Sequence, residues 1–248
     1  MKEGCFMKTE NLKRMDLQKE TKKIFGIDLG TTNSAIAIRT SSTVPKLIQI
    51  GKKTTLPSCV MWENGEFIVG EAAYEKRYQS NVIYSVKRLM GSDESITLID
   101  GDNTITLTPA EVSSHILKEL CKRASVHYND ITDVVITVPA YFNQKQIEDT
   151  LKAGELAGLN VHHILKEPTS AGYIYSNIDD SESGEQIIYD LGGGTFDVTH
   201  SILLKKTPKV QEVIKNLESY YNIKLDQTIG ENNDKYYSRV LGTYGDMH

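Results

Sequence analysis

The stretch Ile24-Phe25-Gly26-Ile27-Asp28-Leu29-Gly30-Thr31-Thr32-Asn33 is echoed by Ile187-Ile188-Tyr189-Asp190-Leu191-Gly192-Gly193-Gly194-Thr195-Phe196, the two Asp-Leu-Gly turns lying 162 residues apart. In both copies an apolar run reaches an aspartate, meets glycine and threonine, and leads into a second β-like run. The order is strand, tight turn, strand. Glycines let backbone amides approach an anion closely, threonines add hydroxyl donors, and an aspartate at a strand end can hold a cation that neutralises phosphate charge. Taken alone, one such turn reads as a plain hairpin corner; the duplicate makes two halves of a phosphate clamp. A strand rather than a helix follows each turn, and neither GxGxxG nor GxxxxGK[ST] occurs, which excludes Rossmann and P-loop readings.

Outward from the first turn, strands are expected at Lys46 to Ile50, Ser58 to Trp62 and Glu66 to Val69, with Asn64-Gly65 turning between the last two. Thr108, Pro109 and Glu111 form a hydroxyl cap, a first-turn proline and a capping-box acid, so a helix runs from there to about His127. Asp133 to Val138 reads as a buried strand, and Asn143 with Gln146 caps a helix ending near Gly158. Val161 to Leu165 is a further strand, Pro168 suits the first turn of a helix, and the polar stretch Asn177 to Gln186 is the expected boundary. Beyond Leu204, the positions Val210, Val213, Ile214, Leu217 and Tyr221 suggest an amphipathic helix, while polar Asp226 to Ser238 is expected as a mobile insertion. Alternating strands and helices with short links indicate an α/β fold.

The 248 residues, 39% hydrophobic and 25% charged, are enough for one large domain or two smaller ones. The 28 basic and 33 acidic residues are spread along the chain at a net charge of −5, so no cationic footprint for nucleic acid forms. No apolar run approaches the ~18 residues of a membrane helix, and no membrane partner is expected. Cys5, Cys59 and Cys121 stand far apart without a CxxC pair, which argues against a disulfide framework or a thiolate zinc site and suits a reducing, cytoplasmic location. Residues 1–23 mix lysines with acids, lack the apolar centre of a secretory signal, and read as a flexible tail. His162 and His163 are adjacent on a strand and His115 and His127 stand apart on a helix, a spacing that does not suit metal ligation.

Five blocks in order carry a resemblance: GIDLGTTNSAIAI at 26–38, SVKRLMG at 85–91, VVITVPAYFN at 134–143, KEPTSAG at 166–172 and DLGGGTFDVT at 190–199. Together they are similar to the front part of the ATPase domain of DnaK-type heat-shock chaperones, in the actin and sugar-kinase superfamily. The resemblance implies an actin-like, ribonuclease-H-like α/β fold. It also implies a complete first lobe over 24–186, carrying an inserted subdomain at 58–132. A truncated second lobe follows over 187–248, with an insertion at about 205–239. It implies that Gly30, Thr31, Thr32 and Asn33 cradle phosphates from one side and Gly192, Gly193, Gly194 and Thr195 from the other. Asp28 and Asp190 would then hold a hydrated magnesium ion, with potassium as a further cation. Lys87 would stand beside the attacking water and the γ-phosphate, and Glu167 and Asp197 would orient that water. ATP or ADP is the implied nucleotide. A J-domain co-chaperone, a nucleotide exchange factor and unfolded polypeptide are the implied partners of a full-length member.

Locally, Lys87 reads just as well as a solvated helix lysine, and Glu167 as an acid stabilised at a helix N-terminus. Ile147 departs from the resemblance, since members of that family carry there an arginine implicated in relaying nucleotide state. An isoleucine neither donates hydrogen bonds nor pairs a charge, so ATP binding without coupling is expected. The competing expectations are a non-enzymatic interaction module with relic phosphate turns, and a different kinase of the actin superfamily.

Overall fold

The computed structural model of the chain describes residues 23–40, 45–179, 184–192, 196–205, 207–221 and 236–246. The expected tail lies outside these residues except for Lys23. Phe25–Asp28 (β1) and Asn33–Ile38 (β2) are the antiparallel pair joined by the first turn. Every second residue of the pair is buried, with Phe25, Ile27, Ser34, Ile36 and Ile38 facing inward, as period-two alternation requires. Lys46–Leu47 (β3) and Thr55–Pro57 (β4) both pair with β2. The strand expected to reach Ile50 stops at Leu47, and Ile50 forms only an isolated bridge with Lys53.

Cys59–Glu63 (β5) and Glu66–Val69 (β6) form a hairpin whose turn residues Asn64 and Gly65 take φ of 54° and 81°, the left-handed pair a two-residue hairpin turn demands. Helix α1 covers Glu71–Glu75, and Val82–Tyr84 (β7) completes a small sheet in the order β6-β5-β7. A short 3-10 turn at Val86–Leu89 carries Lys87. Ile96–Asp100 (β8) and Asn103–Leu107 (β9) form a second hairpin. Apolar Ile96, Leu98, Ile105 and Leu107 alternate with Thr97, Thr104 and Thr106 across Gly101-Asp102, a hairpin pattern that the sequence reading passed over.

Pro109–Ala124 (α2) begins with the expected capping box: Glu111 N donates to Thr108 Oγ1 while the Glu111 carboxylate accepts from Thr108 N at 2.7 Å. The helix buries Val112, Ile116, Leu117 and Leu120 and ends three residues before His127. Asp133–Val138 (β10) runs parallel to β1. Gln144–Leu156 (α3) is capped reciprocally by Asn143 and Gln146. Asn160–Lys166 (β11) runs parallel to β10, and Glu167–Asp179 (α4) follows directly. The main sheet has the order β11-β10-β1-β2-β3, with β4 also paired to β2. Helices α2 and α3 pack together, and α2 residues share one core with Phe25, Ile27, Ile36 and Ile136 of the sheet.

Gly184–Leu191 (β12), Phe196–Lys205 (β13) and Tyr236–Asp246 (β14) make a second, antiparallel sheet in that order, with Pro208–Tyr221 (α5) in the connection. The antiparallel pairing of β1 with β2 recurs in β12 with β13, as the sequence echo implied. Two expectations are corrected. Helix α4 extends to Asp179 and β12 starts at Gly184, so most of the stretch from Asn177 to Gln186 is regular structure rather than connector. Tyr236, Tyr237 and Ser238 belong to β14, where their pairing with β13 overrides a polar local sequence; residues 222–235 of the expected insertion lie outside the described residues.

Because the Thr108 hydroxyl serves one of the otherwise unpaired amides of α2, Thr108→Ala is expected to lower unfolding free energy by about 1 kcal/mol in urea titration. An unchanged midpoint would show that the cap contributes nothing.

Candidate functional site

The parallel strands β1, β10 and β11 all deliver their carboxyl ends to one edge of the main sheet. Register places Asp28 beside Thr137, and Thr137 beside Leu165, one residue before Lys166 and two before Glu167. Open parallel sheets bind ligands outside such strand ends. A cavity of about 490 Å³ lies there, closed on the far side by β12. Its lining includes Asp28, Gly30, Thr31, Thr32 and Asn33 from the first turn, and Asp190 and Gly192 from the second. Lys87 and Glu167 line it as well. Gly193, Gly194 and Thr195 lie outside the described residues. Asp197 does not line the cavity, but it sits opposite Asp190 in the β12–β13 register.

The first turn is held rigidly from behind. Ser58 Oγ donates to Gly30 O at 2.7 Å and contacts Ser34 Oγ at 2.9 Å, while Ser58 N donates to Thr32 O at 2.8 Å. Ser58 itself does not line the cavity. A Cβ at position 30 would collide with the Asn33 carbonyl oxygen, so only glycine lets the chain turn this tightly. None of these serines was a site candidate from sequence, because their role is to fix the backbone rather than to touch a ligand.

Lys87 is not a solvated helix lysine. It is 7% exposed, and its Nζ donates to Glu167 Oε1 at 2.7 Å, with the Phe142 ring centroid 5.8 Å away. Burial pushes the Glu167 carboxyl up; the Lys87 ammonium opposes that shift, and Asp28 and Asp190 add to it. Asp28 opens into the cavity and is exposed there, yet the surrounding walls withhold bulk water and push its carboxyl up, against the pull of Lys87 and with a further push from Asp190. A long contact from Thr137 Oγ1, 3.4 Å, also favours its charged form. Asp197 is raised by burial and by Asp190, again against Lys87. The Tyr141 phenol, pushed up to about 12 by burial and by the same acids, stays neutral. Thr137 and Tyr141 were missed by the sequence reading, although both lie in the VVITVPAYFN block.

Three carboxylates, Asp28, Glu167 and Asp197, therefore share the field of one ammonium with Asp190 close by, and Asp197 Oδ1 is buried with no hydrogen-bond partner among the described residues. Such an orphaned, repelling set suits a divalent cation. Among the described residues no three His, Cys, Asp or Glu side chains are grouped closely enough to enclose a metal directly, which suits an ion that keeps several of its waters. His162 belongs to different chemistry at the opposite strand ends, where its Nε2 meets the buried Asp133 carboxylate at 2.7 Å.

A family model described as Hsp70 protein matches residues 24–213. The chain belongs to the Hsp70 family. Two strains of Halobacterium salinarum have a chaperone protein DnaK 44% identical to it over 185 residues, covering 72% of this chain and 28% of each relative. Chaperone protein DnaK of Mycoplasmoides gallisepticum is 42% identical over 178 residues, covering 71% of this chain and 30% of the relative. The matched stretch is thus less than a third of the length of these curated relatives. Membership in the Hsp70 family makes the mixed α/β arrangement of sheets part of an actin-like fold. Ile147, the departure noted above, packs in this Hsp70 member against an apolar cluster of Met90, Val138 and Phe142.

A carboxyl raised in the folded state stabilises the fold below the ordinary carboxylate range and loses that contribution as pH rises through its folded value. At neutral pH the ion-free site is thus a source of strain to which Asp190 contributes. Asp190 is itself exposed, so solvent screening limits the repulsion, and Asp190→Asn is expected to stabilise the ion-free chain by a few tenths and at most about 1 kcal/mol at pH 7.5. The gain should fade below about pH 4, where carboxyls are protonated in either form. Denaturation at the two pH values decides; equal or lower stability at pH 7.5 would contradict mutual repulsion.

Proposed function

We propose that this Hsp70-family chain binds Mg-ATP in the cavity, gripping the phosphates between the turns after Asp28 and Asp190. The supporting observation is that both turns line one cavity together with the Lys87–Glu167 pair. Gly30, Thr31, Thr32 and Asn33 hold phosphate from one sheet, and Gly192 with Gly193, Gly194 and Thr195 from the other. Asp28 and Asp190 fit a hydrated magnesium ion, which supplies charge neutralisation at the phosphates. Potassium is proposed as a further cation.

In hydrolysis, a water oxygen bonds to the γ-phosphorus as the β–γ bridging bond breaks, and the water's protons pass to the phosphate and bulk. Lys87 donates a hydrogen bond toward that water and the γ-phosphate, where negative charge shifts in the transition state. Glu167 keeps Lys87 aimed, and Glu167 and Asp197 orient the water. Such chemistry asks for positioning more than for covalent help. By the same reading the two sheets belong to two lobes that close on the nucleotide. A longer protein of this family would work in the cytoplasm as a stress chaperone with a J-domain partner, an exchange factor and unfolded polypeptide. Ile147, apolar and packed, weakens the coupling between nucleotide and polypeptide.

A second reading has one observation in its favour. Ile187, Tyr189, Leu191 and Tyr244 on one face of the second sheet are exposed by 61%, 69%, 81% and 75%, as suits an interaction module.

Calorimetry with magnesium and ATP separates the two: a measurable affinity for the chain, weakened at least about tenfold in Thr31→Ala, is expected for the loss of a phosphate donor. No detectable heat in either protein would defeat nucleotide binding and leave the interaction module. In single-turnover phosphate release, Lys87→Ala is expected to be slower by roughly 10²–10³, the usual cost of removing a transition-state donor. Superimposable traces would remove Lys87 from the reaction.

A further inference from the structure

The turn that carries Lys87 is four residues long, and a 3-10 segment of that length has too little internal bonding to fix a side chain. Its position is imposed from outside. At its entrance Ser85 adopts φ 57°, and Val86 is buried in the main core. At its exit Met90 packs against Val138 and Phe142, and Gly91 takes φ 77°. Two features seat Gly91 on α3. The backbone N–H of Gly91 donates to Asp149 Oδ2 at 2.6 Å in a part-buried, charge-assisted bond. Its Cα also lies so close to Gln146 that a Cβ there would stand 2.6 Å from Gln146 Cγ and 3.0 Å from Gln146 N.

Gln146 cannot yield easily, because it is one half of the reciprocal cap with Asn143. The first two turns of α3 therefore act as a fixed wall, and Asp149 is the group that pulls the Lys87 turn onto it. Nearby, Lys145 Nζ meets Asp93 at 2.7 Å on an exposed surface, where a single ion pair adds little.

We infer that Asp149 is a positioning residue for Lys87: by holding the Gly91 amide, it fixes the turn that presents the ammonium to Glu167 and to the cavity. Asp149 itself is absent from the cavity lining, so it acts through Lys87 alone. The kinetic part of this inference rests on the ATP hydrolysis proposed above; the structural part does not.

The test uses the chain with Asp149→Ala, Asp149→Asn, Lys87→Ala and the double variant Asp149→Ala with Lys87→Ala. In single-turnover phosphate release, Asp149→Ala should be slower roughly ten- to hundred-fold with the half-saturating ATP concentration little changed, as for a misplaced reacting group. Asp149→Asn, whose amide oxygen still accepts from Gly91, should stay within about threefold of the parent. Adding Asp149→Ala to Lys87→Ala should cause no further loss, since the residue that Asp149 positions is already gone. A full-speed Asp149→Ala, an Asp149→Asn as slow as the alanine variant, or losses that multiply in the double variant would each overturn the inference.

A second readout needs no nucleotide. The Lys87 side-chain ammonium resonance, with its slow proton exchange in the ion pair, should be lost or shifted in Asp149→Ala and retained in Asp149→Asn. An ammonium signal identical in Asp149→Ala and the parent overturns the positioning role. A parent chain without turnover defeats the hydrolysis proposal instead, while this comparison still decides about Asp149.

Discussion

A buried ammonium among carboxylates is the constraint on which the site depends. Lys87 and Glu167 are joined at 2.7 Å, 80 residues apart in sequence, and both are largely removed from solvent. Removing one partner of such a pair leaves an uncompensated charge and typically costs 3–5 kcal/mol, so the pair constrains the fold as well as any chemistry. Burial raises the proton affinities of Asp28, Glu167 and Asp197, and the neighbouring Asp190 carboxylate raises each of them further. A single lysine does not balance four acids. The imbalance suits the cavity to a cation.

Strand topology creates this crowding. Because β1, β10 and β11 run parallel, their carboxyl ends bring Asp28, Thr137 and Glu167 to one edge without any long loop. The antiparallel β12–β13 pair adds Asp190 and Asp197 from another sheet. The turn after Asp28 is then locked by Ser58 and by the absence of a side chain on Gly30. Rigid turns of this kind meet a polyanion without reorganising, and preorganisation of that sort lowers the cost of binding.

Much of this was legible in the sequence, for identifiable reasons. The D-L-G echo marked both turns, since glycine and aspartate at a strand end carry a local meaning independent of context. Both capping boxes could be read directly, because a cap is a short-range interaction between residues three apart. What could not be read locally depends on distant partners. Lys87 looked like an exposed basic face beside Arg88, and only the fold puts Glu167 next to it. Tyr236 to Ser238 looked polar and unstructured, yet β13 pairs with them. The β8–β9 hairpin went unread although its signal is local: two alternating runs of Ile, Thr and Leu separated by Gly101-Asp102. Ser58 and Asp149 act on backbone groups, and no pattern of residue types announces such a role.

Whether both turns hold one polyphosphate is tested most directly by a crystal structure of the chain with magnesium and a non-hydrolysable ATP analogue. The phosphate oxygens are predicted to lie within hydrogen-bonding distance of the turn at Gly30–Asn33 and, simultaneously, of the turn that begins at Gly192. A nucleotide touching one turn only, or seated outside the cavity between the two sheets, would contradict a shared grip.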